Sequence, residues 1–519
     1  MANKDRDQKE RGEKKMLVGV MWNCAAELKL ILVALLILCS VATLLQFLPS
    51  RFTISTSDLR LCISKITTNT DGDTNVPSHL QLEQELSSPL PSPSPPPSPP
   101  APPAIEQDQI LHNGVIKRAF NTYGAAAYNF INMGGYRGGL NTFAIIGLSS
   151  KPLHVYGKPS YTCEWVPQDK PKNSTFARLT YKMLPDWGYG RVYTVVIVNC
   201  TFSEPVNADN SGGTLFLHAS TAGGGDTKFN LTDQILALQE PPGSVNFSLY
   251  TAHKPKYDYL YCGSPLYGGL SPQRIREWIA YHVRLFGEKS HFVIYDAGGV
   301  HEEVFAVLKP WMDLGYVTLQ DVIEQERFDG YYHNQFLIVN DCLHRYKFMA
   351  KWMFFFDVDE YVYVPPKNTI KSVLDSLMDY SQFSIEQMHM SSQLCMEADS
   401  GKADKKWGFE KLVYRDVKRG IRRDRKYAIQ PRNVYATGVH LSQNLHGRST
   451  HKTEGRIKYY HYHGTIAQRH EPCATYVNWT KYNLENTPYM LDTTMRSVAR
   501  VVKKFELSMI GSTVQNTRQ

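Results

Sequence analysis

The apolar run 352–356, Trp-Met-Phe-Phe-Phe, ends directly in Asp357, Val358, Asp359 and Glu360, and no other stretch constrains this 519-residue chain as strongly. An uninterrupted apolar run of this length is typical of a strand buried on both faces in a parallel sheet. Carboxylates at the C-terminal end of such a strand lie where open α/β sheets bind ligands. If the segment is extended, Asp357 and Asp359 point to the same side, and two such oxygen ligands suit Mg²⁺ or Mn²⁺. The run therefore predicts a metal site that also holds phosphate oxygens; a strand followed by an acidic turn is the alternative.

Strand and helix patterns alternate between about 255 and 400. Tyr257 to Cys262 and His291 to Tyr295 have the composition of strands, and Ser271 with Pro272 forms the start signal of a helix between them. This order predicts an α/β, Rossmann-like domain whose mostly parallel sheet carries helices on both faces. The residues expected to bind a phosphate-bearing ligand at the C-terminal strand ends are Ser264, Pro265, Asp296, Asp357 and Asp359.

The region from about 110 to 250 has a different pattern, with short β-rich segments separated by Gly and Asn clusters. No long helical period occurs there, which predicts a small all-β, sandwich-like domain. Its aromatic residues Trp165, Trp187 and Tyr189 are suited to stacking on sugar rings or to packing in a core, and the sequence leaves both interpretations open.

Residues 30–48 form an uncharged, mostly apolar run that is long enough to cross a bilayer. Basic residues precede it, so the rule for cytoplasmic positive charge predicts a single-pass type II protein with the rest of the chain on the far side. The long charged head favours a membrane anchor over a cleaved signal peptide. A Pro/Ser tract follows and predicts a stem. The predicted segments are a cytoplasmic tail at 1–29, a transmembrane anchor at 30–48, a stem at 49–108, a β-rich domain at 109–252, a catalytic domain at 253–500 and a C-terminal tail at 501–519.

Seven cysteines and five Asn-x-Ser/Thr sequons follow the apolar run 30–48, and both agree with an oxidising lumen. Cys163 and Cys200 are the only cysteines of the β-rich region and are predicted to pair. The four cysteines of the later region allow three pairings, and the preferred one is Cys262–Cys342 with Cys395–Cys473. Cys62 is left over and is available to link two chains into a homodimer.

Two later motifs supply further candidate ligands. His461 and His463 share one face if their segment is a strand, and imidazole accompanies carboxylates at Mn²⁺ sites. The basic residues between 411 and 432 include Lys426 and Arg432, which are candidates for contacting a diphosphate; a solvated face or a dock for acidic pectin is the alternative. The net charge of +8 is otherwise spread along the chain, so no nucleic-acid footprint is predicted.

A general base is sought among the acidic residues between 397 and 410, and Asp404 and Glu410 are the preferred candidates. Trp407 lies between them, as an acceptor platform or as a core residue.

Taken together, six segments resemble glycosyltransferase family 92, and within it the plant members that extend β-1,4-galactan. The segments are 259–267, 291–296, 340–345, 352–361, 407–411 and 461–463. The resemblance implies a GT-A fold, a UDP-galactose donor, Mn²⁺ dependence, inversion at the anomeric carbon and a Golgi location. It also implies a β-1,4-galactan acceptor in pectin and a carbohydrate-binding role for the β-rich domain. Animal relatives have Arg at the position of His463, which makes His461 the safer metal ligand.

Two alternatives are compatible with the same residues. The first is a non-catalytic, lectin-like membrane protein, which the Asp357 and Asp359 pair argues against. The second is an enzyme of the same fold that uses another donor, such as UDP-arabinopyranose.

Overall fold

The computed structural model describes residues 106–124, 128–151, 159–183, 192–220, 232–251, 254–328, 332–418, 425–466 and 473–511. The predicted cytoplasmic tail and membrane span lie outside these ranges, and so does the predicted stem up to residue 105. Among the helices that are described, none is both long and apolar enough to cross a membrane.

The first part of the described chain is built almost entirely of strands. Its elements are β1 (Gln109–Ile110), β2 (Ile116–Lys117), β3 (Asn121–Tyr123), β4 (Phe130–Arg137), β5 (Thr142–Ser150), β6 (Ser160–Pro167), β7 (Thr175–Phe176), β8 (Leu179–Met183), β9 (Tyr193–Thr201), β10 (Gly213–Ser220), β11 (Thr232–Glu240) and the short helix α1 (Ser248–Thr251).

Strands β3 to β11 form two antiparallel sheets with the orders β3-β4-β5-β9-β8 and β11-β10-β6-β7. Side chains from both sheets share one core, in which Phe143 stacks on Trp165 at 5.7 Å between ring centroids. The Cys163–Cys200 disulfide joins the two sheets, as predicted. Trp165 is only 2% exposed, so stacking on a sugar ring is wrong for this residue. Trp187 and Tyr189 lie outside the described residues.

Helices and strands alternate in the second part before strands take over. The elements are β12 (Tyr257–Cys262), α2 (Pro272–Phe286), β13 (Ser290–Asp296), α3 (Glu302–Asp313), β14 (Val317–Asp321), α4 (Gln335–Tyr346), β15 (Ala350–Phe355), β16 (Glu360–Tyr363), α5 (Ile370–Asp375), β17 (Gln382–His389), β18 (Leu394–Met396), α6 (Gly408–Lys411), β19 (Tyr414–Asp416), β20 (Lys426–Ile429), β21 (Val434–Ala436), β22 (Asn444–Leu445), β23 (Ser449–Thr450), β24 (Lys458–His461), β25 (Thr475–Val477), β26 (Lys481–Leu484), β27 (Thr487–Leu491) and α7 (Thr494–Ile510).

The large sheet has the order β1-β2-β14-β13-β12-β15-β20-β17-β24-β16, with β23 beside β17. The pairs β2–β14, β14–β13, β13–β12 and β12–β15 are parallel, but β1–β2, β15–β20, β20–β17 and β24–β16 are antiparallel pairs. The expectation of a mostly parallel, Rossmann-like GT-A sheet behind a single transmembrane helix is therefore corrected. The sheet is mixed, strands dominate the described chain, and no described helix supplies a membrane span. The sequence indicated only the local β-α-β order before 356, whereas the later strands pair with partners that are distant along the chain.

The β-sandwich packs directly against the second part of the chain. Its five-stranded sheet is buried on both faces. Alternate residues of β5 and β9 pack into the sandwich core, and the intervening residues pack against α4. A buried ion pair reinforces this contact: the guanidinium of Arg118 donates to both carboxylate oxygens of Asp341 on α4, at 2.6 and 2.9 Å. Helix α4 is therefore held between the sandwich and the large sheet.

The two other disulfides follow the preferred pairing. Cys262 at the end of β12 is bonded to Cys342 on α4, and Cys395 on β18 is bonded to Cys473 ahead of β25. The bonded cysteines are 80 residues apart in the first bridge and 78 residues apart in the second, so each bridge closes a long loop of the chain.

Candidate active site

The acidic cluster lies where the buried strand β15 ends. Asp357 and Asp359 occupy a turn between β15 and β16 rather than an extended segment, and Glu360 begins β16. The turn is closed by its own residues, because the Asp357 N–H donates to Glu360 Oε2 at 2.7 Å and the Glu360 N–H donates to the Asp357 carbonyl at 3.1 Å. One carboxylate oxygen from each acid lies within 4.8 Å of the others.

Lys426, at the start of β20, brings a positive charge into this cluster. Its Nζ donates to Asp357 Oδ2 at 2.8 Å and lies 3.6 Å from Glu360 Oε2, and its side chain is only 4% exposed. Burial lowers the pKa of Lys426, but Asp357 and Glu360 outweigh burial and hold the pKa above its usual value. Burial raises the pKa of Asp357, yet Lys426 and the Ser264 hydroxyl bring it below its usual value. The pair is therefore ionised at neutral pH.

Glu360 differs from Asp357 because it is almost fully buried. Burial and the neighbouring carboxylates of Asp357 and Asp359 raise the pKa of Glu360, against the opposing effect of Lys426. Its carboxylate contacts the Asp357 backbone, Lys426 and, at 3.8 Å, His461 Nδ1. Glu360 thus helps to hold the Asp357 backbone, Lys426 and His461 in their positions.

His461 enters the cluster from β24, which pairs with β16 so that Glu360 lies opposite His461. Its Nε2 is 3.6 Å from Asp359 Oδ1. Burial lowers the pKa of His461, but Asp359 and Glu360 outweigh burial and raise it to about 9. His463 lies beyond the end of β24, is exposed, and meets the His461 ring edge-on at 5.2 Å between centroids. The two imidazoles and Asp359 therefore face a common position.

Two amide side chains complete the site, and the sequence analysis missed both. Gln387 on β17 is buried, and its amide lies 2.6 Å from His461 Nδ1. Gln335, the first residue of α4, donates to Asp357 Oδ1 at 3.4 Å. Glutamine carries no catalytic signature in a sequence, and Gln387 is 74 residues from its partner. Only the pairing of β17 with β24 brings it there.

The other predicted ligand-binding residues are placed differently. Ser264 bonds to Asp357 and belongs to the site, whereas Pro265 is buried beside it. Asp296 Oδ1 accepts the N–H groups of residues 298–300, each at 2.9 Å, so this carboxylate stabilises the turn after β13. Arg432 donates to two carbonyls of α1 and lies over the Phe348 ring, so these contacts do not bring it to the acidic cluster.

Of the two predicted bases, only Glu410 has described side-chain contacts, and these do not bring it to the cluster. Glu410 forms an ion pair with Lys503 on α7 and accepts the Trp407 N–H. Trp407 is 6% exposed and packs edge-on against Phe409, so it is a core residue rather than an acceptor platform. Asp404 lies in the short helix Ala403–Lys405, and its side chain is not among those described.

The cluster has the chemistry of a divalent cation site. In an octahedral site with bonds of about 2.1 Å, neighbouring ligand atoms lie about 3 Å apart, which is close to the 3.6 Å between Asp359 and His461. Carboxylate oxygens combined with imidazole nitrogen suit Mn²⁺. Two sets of ligand atoms that share Asp359 could therefore hold such an ion: Asp359 with His461 and His463, and Asp359 with Asp357 and Glu360. Lys426 compensates the charge of Asp357.

Comparison with known proteins places this cluster in a family context. The sequence model described as glycosyltransferase family 92 matches residues 257–504, which contain every residue of the cluster. Three similar proteins of Arabidopsis thaliana carry the name galactan beta-1,4-galactosyltransferase. GALS3 is 60% identical over 99% of both chains, GALS2 is 58% identical over 99% of this chain and 100% of its own, and GALS1 is 51% identical over 77% of this chain and 80% of its own.

Proposed function

Because the chain belongs to glycosyltransferase family 92, and is thus a glycosyltransferase, we propose that it transfers galactose from UDP-galactose to the β-1,4-galactan side chains of pectin. We further propose that transfer needs Mn²⁺ and inverts the anomeric carbon. The observation that carries the proposal is the cluster of Asp357, Asp359, Lys426 and His461 in a chain so similar to three galactosyltransferases.

The residues of the cluster divide the chemical work. A divalent ion held by Asp357, Asp359 and His461, when bound, supplies the charge that stabilises a departing diphosphate. Lys426 adds a fixed positive charge that needs no reorganisation during the reaction, because its contacts to Asp357 and Glu360 already hold it in place. Gln387 and Glu360 orient the His461 ring through its Nδ1, which leaves Nε2 facing Asp359.

The compartment is part of the proposal. The three disulfides among the described residues, two of them within the match to the family, suit an oxidising lumen such as that of the Golgi.

The test is a donor screen with the purified chain and a β-1,4-linked galacto-oligosaccharide acceptor. UDP-galactose with Mn²⁺ should give longer oligosaccharides that a β-1,4-galactanase digests, and chelation by EDTA should stop the reaction. Transfer that EDTA leaves unchanged would contradict metal dependence. If the protein prefers UDP-arabinopyranose, the proposed donor is wrong. If it hydrolyses UDP-galactose without transferring galactose, the proposed acceptor is wrong.

A further inference from the structure

The turn of Tyr332, His333 and Asn334, directly ahead of α4, has an unusual backbone. All three residues are left-handed, with φ values of 48°, 53° and 54°. Residues with side chains rarely adopt this conformation, and such outliers persist where the surrounding structure enforces them. Here the enforcement is visible: Gln325 Nε2 donates to the His333 carbonyl at 2.9 Å, and Asn334 Nδ2 donates to the Phe328 carbonyl at 3.1 Å.

The turn presents aromatic side chains as one cluster with Tyr267, which we call the aromatic corner (Tyr267, Tyr332 and His333). The His333 ring stacks on Tyr267 with 3.9 Å between centroids, and the hydroxyls of Tyr267 and Tyr332 are 2.7 Å apart. Tyr332 is nevertheless 52% exposed, so the strained backbone holds a large apolar surface toward solvent.

Both segments that form the aromatic corner are adjacent in sequence to residues that contact Asp357. Tyr267 follows Ser264 by three residues, and Ser264 bonds to Asp357. Gln335 follows the turn directly, starts α4 and donates to Asp357 Oδ1. The negative end of a ligand at the cluster would therefore lie beside the N-terminus of α4, where backbone N–H groups favour anions.

We propose that the aromatic corner binds the nucleobase of the nucleoside diphosphate donor, by stacking on the exposed aromatic surface. The inference rests on the proposed function, because it places the diphosphate at the acidic cluster. A ligand that combines a diphosphate with a flat ring would match an acidic cluster loaded with a divalent cation and bordered by aromatic faces, and every nucleobase offers such a ring. The galactosyl ring of an acceptor is the competing occupant, and it lacks the negative charge.

Calorimetric titration of the full-length protein in Mn²⁺ tests the proposal with two probes, UDP and inorganic pyrophosphate, of which only UDP carries a base. Tyr332→Ala and His333→Ala should each raise the Kd for UDP by about tenfold, because each removes a stacking surface. Both variants should bind pyrophosphate as the wild type does, which also shows that the variants are folded. The matched control is Tyr435→Ala, a tyrosine that is 44% exposed on β21, and it should leave both Kd values unchanged.

The outcomes separate this proposal from the proposed function. Wild-type protein that binds pyrophosphate but not UDP would overturn the donor and the aromatic corner together. Wild-type protein that binds UDP, with variants that bind it equally well, would overturn the corner alone. Variants that lose UDP and pyrophosphate in parallel, or that lose a galacto-oligosaccharide while keeping UDP, would also overturn it.

Discussion

At the scale of the residue, the site contains three acidic side chains that have different partners. Asp357 is held ionised by Lys426, Asp359 faces the two imidazoles, and Glu360 is buried among all of them. Three carboxylates within a few ångströms repel one another unless cations neutralise them. The cluster is therefore built to attract positive charge.

Replacement of Asp359 tests the metal role most directly. Asp359→Ala should lower galactosyl transfer by about 100-fold or more and weaken Mn²⁺ binding, because the ion loses a charged ligand that supports leaving-group departure. Transfer rates and Mn²⁺ titration of the same preparation measure both effects. Activity within about tenfold of the wild type for both Asp359→Ala and Asp357→Ala would contradict the assignment.

Gln387 offers a test of ligand orientation. Gln387→Leu should weaken Mn²⁺ binding by about 10-fold to 100-fold, because the His461 ring loses the buried partner of its Nδ1. Mn²⁺ binding is followed by electron paramagnetic resonance. Gln239→Leu on β11 is the control, and equal Mn²⁺ affinity in all three proteins would argue against this role.

At the scale of the element, α4 connects the sandwich to the active site. The buried Asp341 near its C-terminal half accepts from Arg118 and from the Tyr295 hydroxyl at 2.9 Å, and Cys342 is tied to β12. Its first residue, Gln335, contacts Asp357. A displacement of α4 should therefore change the position of Asp357 in the acidic cluster.

Removal of Arg118 should show how strongly α4 is held. Arg118→Leu should lower the free energy of unfolding by about 3–5 kcal/mol, because the buried Asp341 carboxylate loses its bidentate partner and keeps only Arg345, which is 3.8 Å away, as a charged partner. Urea unfolding measures the change. The double variant Arg118→Leu/Asp341→Leu should regain part of the loss, since it removes the buried charge, and an equal loss in both proteins would contradict this explanation.

At the scale of the whole molecule, three histidines that are buried in the described part of the chain make stability depend on pH. Burial lowers the pKa of His282 to about 3, of His291 to about 4 and of His344 to about 3. The unfolded chain takes up these protons near pH 6.5, whereas the folded protein does not until about pH 3–4. Each histidine therefore contributes stability that is present above pH 6.5 and lost as the pH falls toward its folded pKa. His461 and Glu360, whose pKa values are raised, have the opposite sign.

A single substitution isolates one of these protons. In His344→Gln, stability should fall less steeply between about pH 6 and pH 4, by about 1.4 kcal/mol per pH unit relative to the wild type. Glutamine retains a donor for the Tyr435 carbonyl that His344 contacts at 2.8 Å. Urea midpoints at a series of pH values provide the comparison, and parallel curves for the two proteins would refute the prediction.

The sequence by itself determined the features that depend on neighbouring residues. The buried run into Asp357, the β-rich region before 241 and the pairing of Cys163 with Cys200 all follow from local composition, periodicity or a short list of options. The six segments that resemble the family were sufficient to indicate a glycosyltransferase.

The tertiary structure alone decided which distant residues meet. Lys426, Gln387 and His461 reach the cluster only because β20 pairs with β15 and β17, and β24 pairs with β17. The β15–β20 and β20–β17 pairs are also antiparallel, which the local β-α-β order did not indicate. No local pattern encodes a partner that lies dozens of residues away. The burial of Trp165 and the engagement of Glu410 by Lys503 have the same origin, because the environment of a side chain depends on what folds against it.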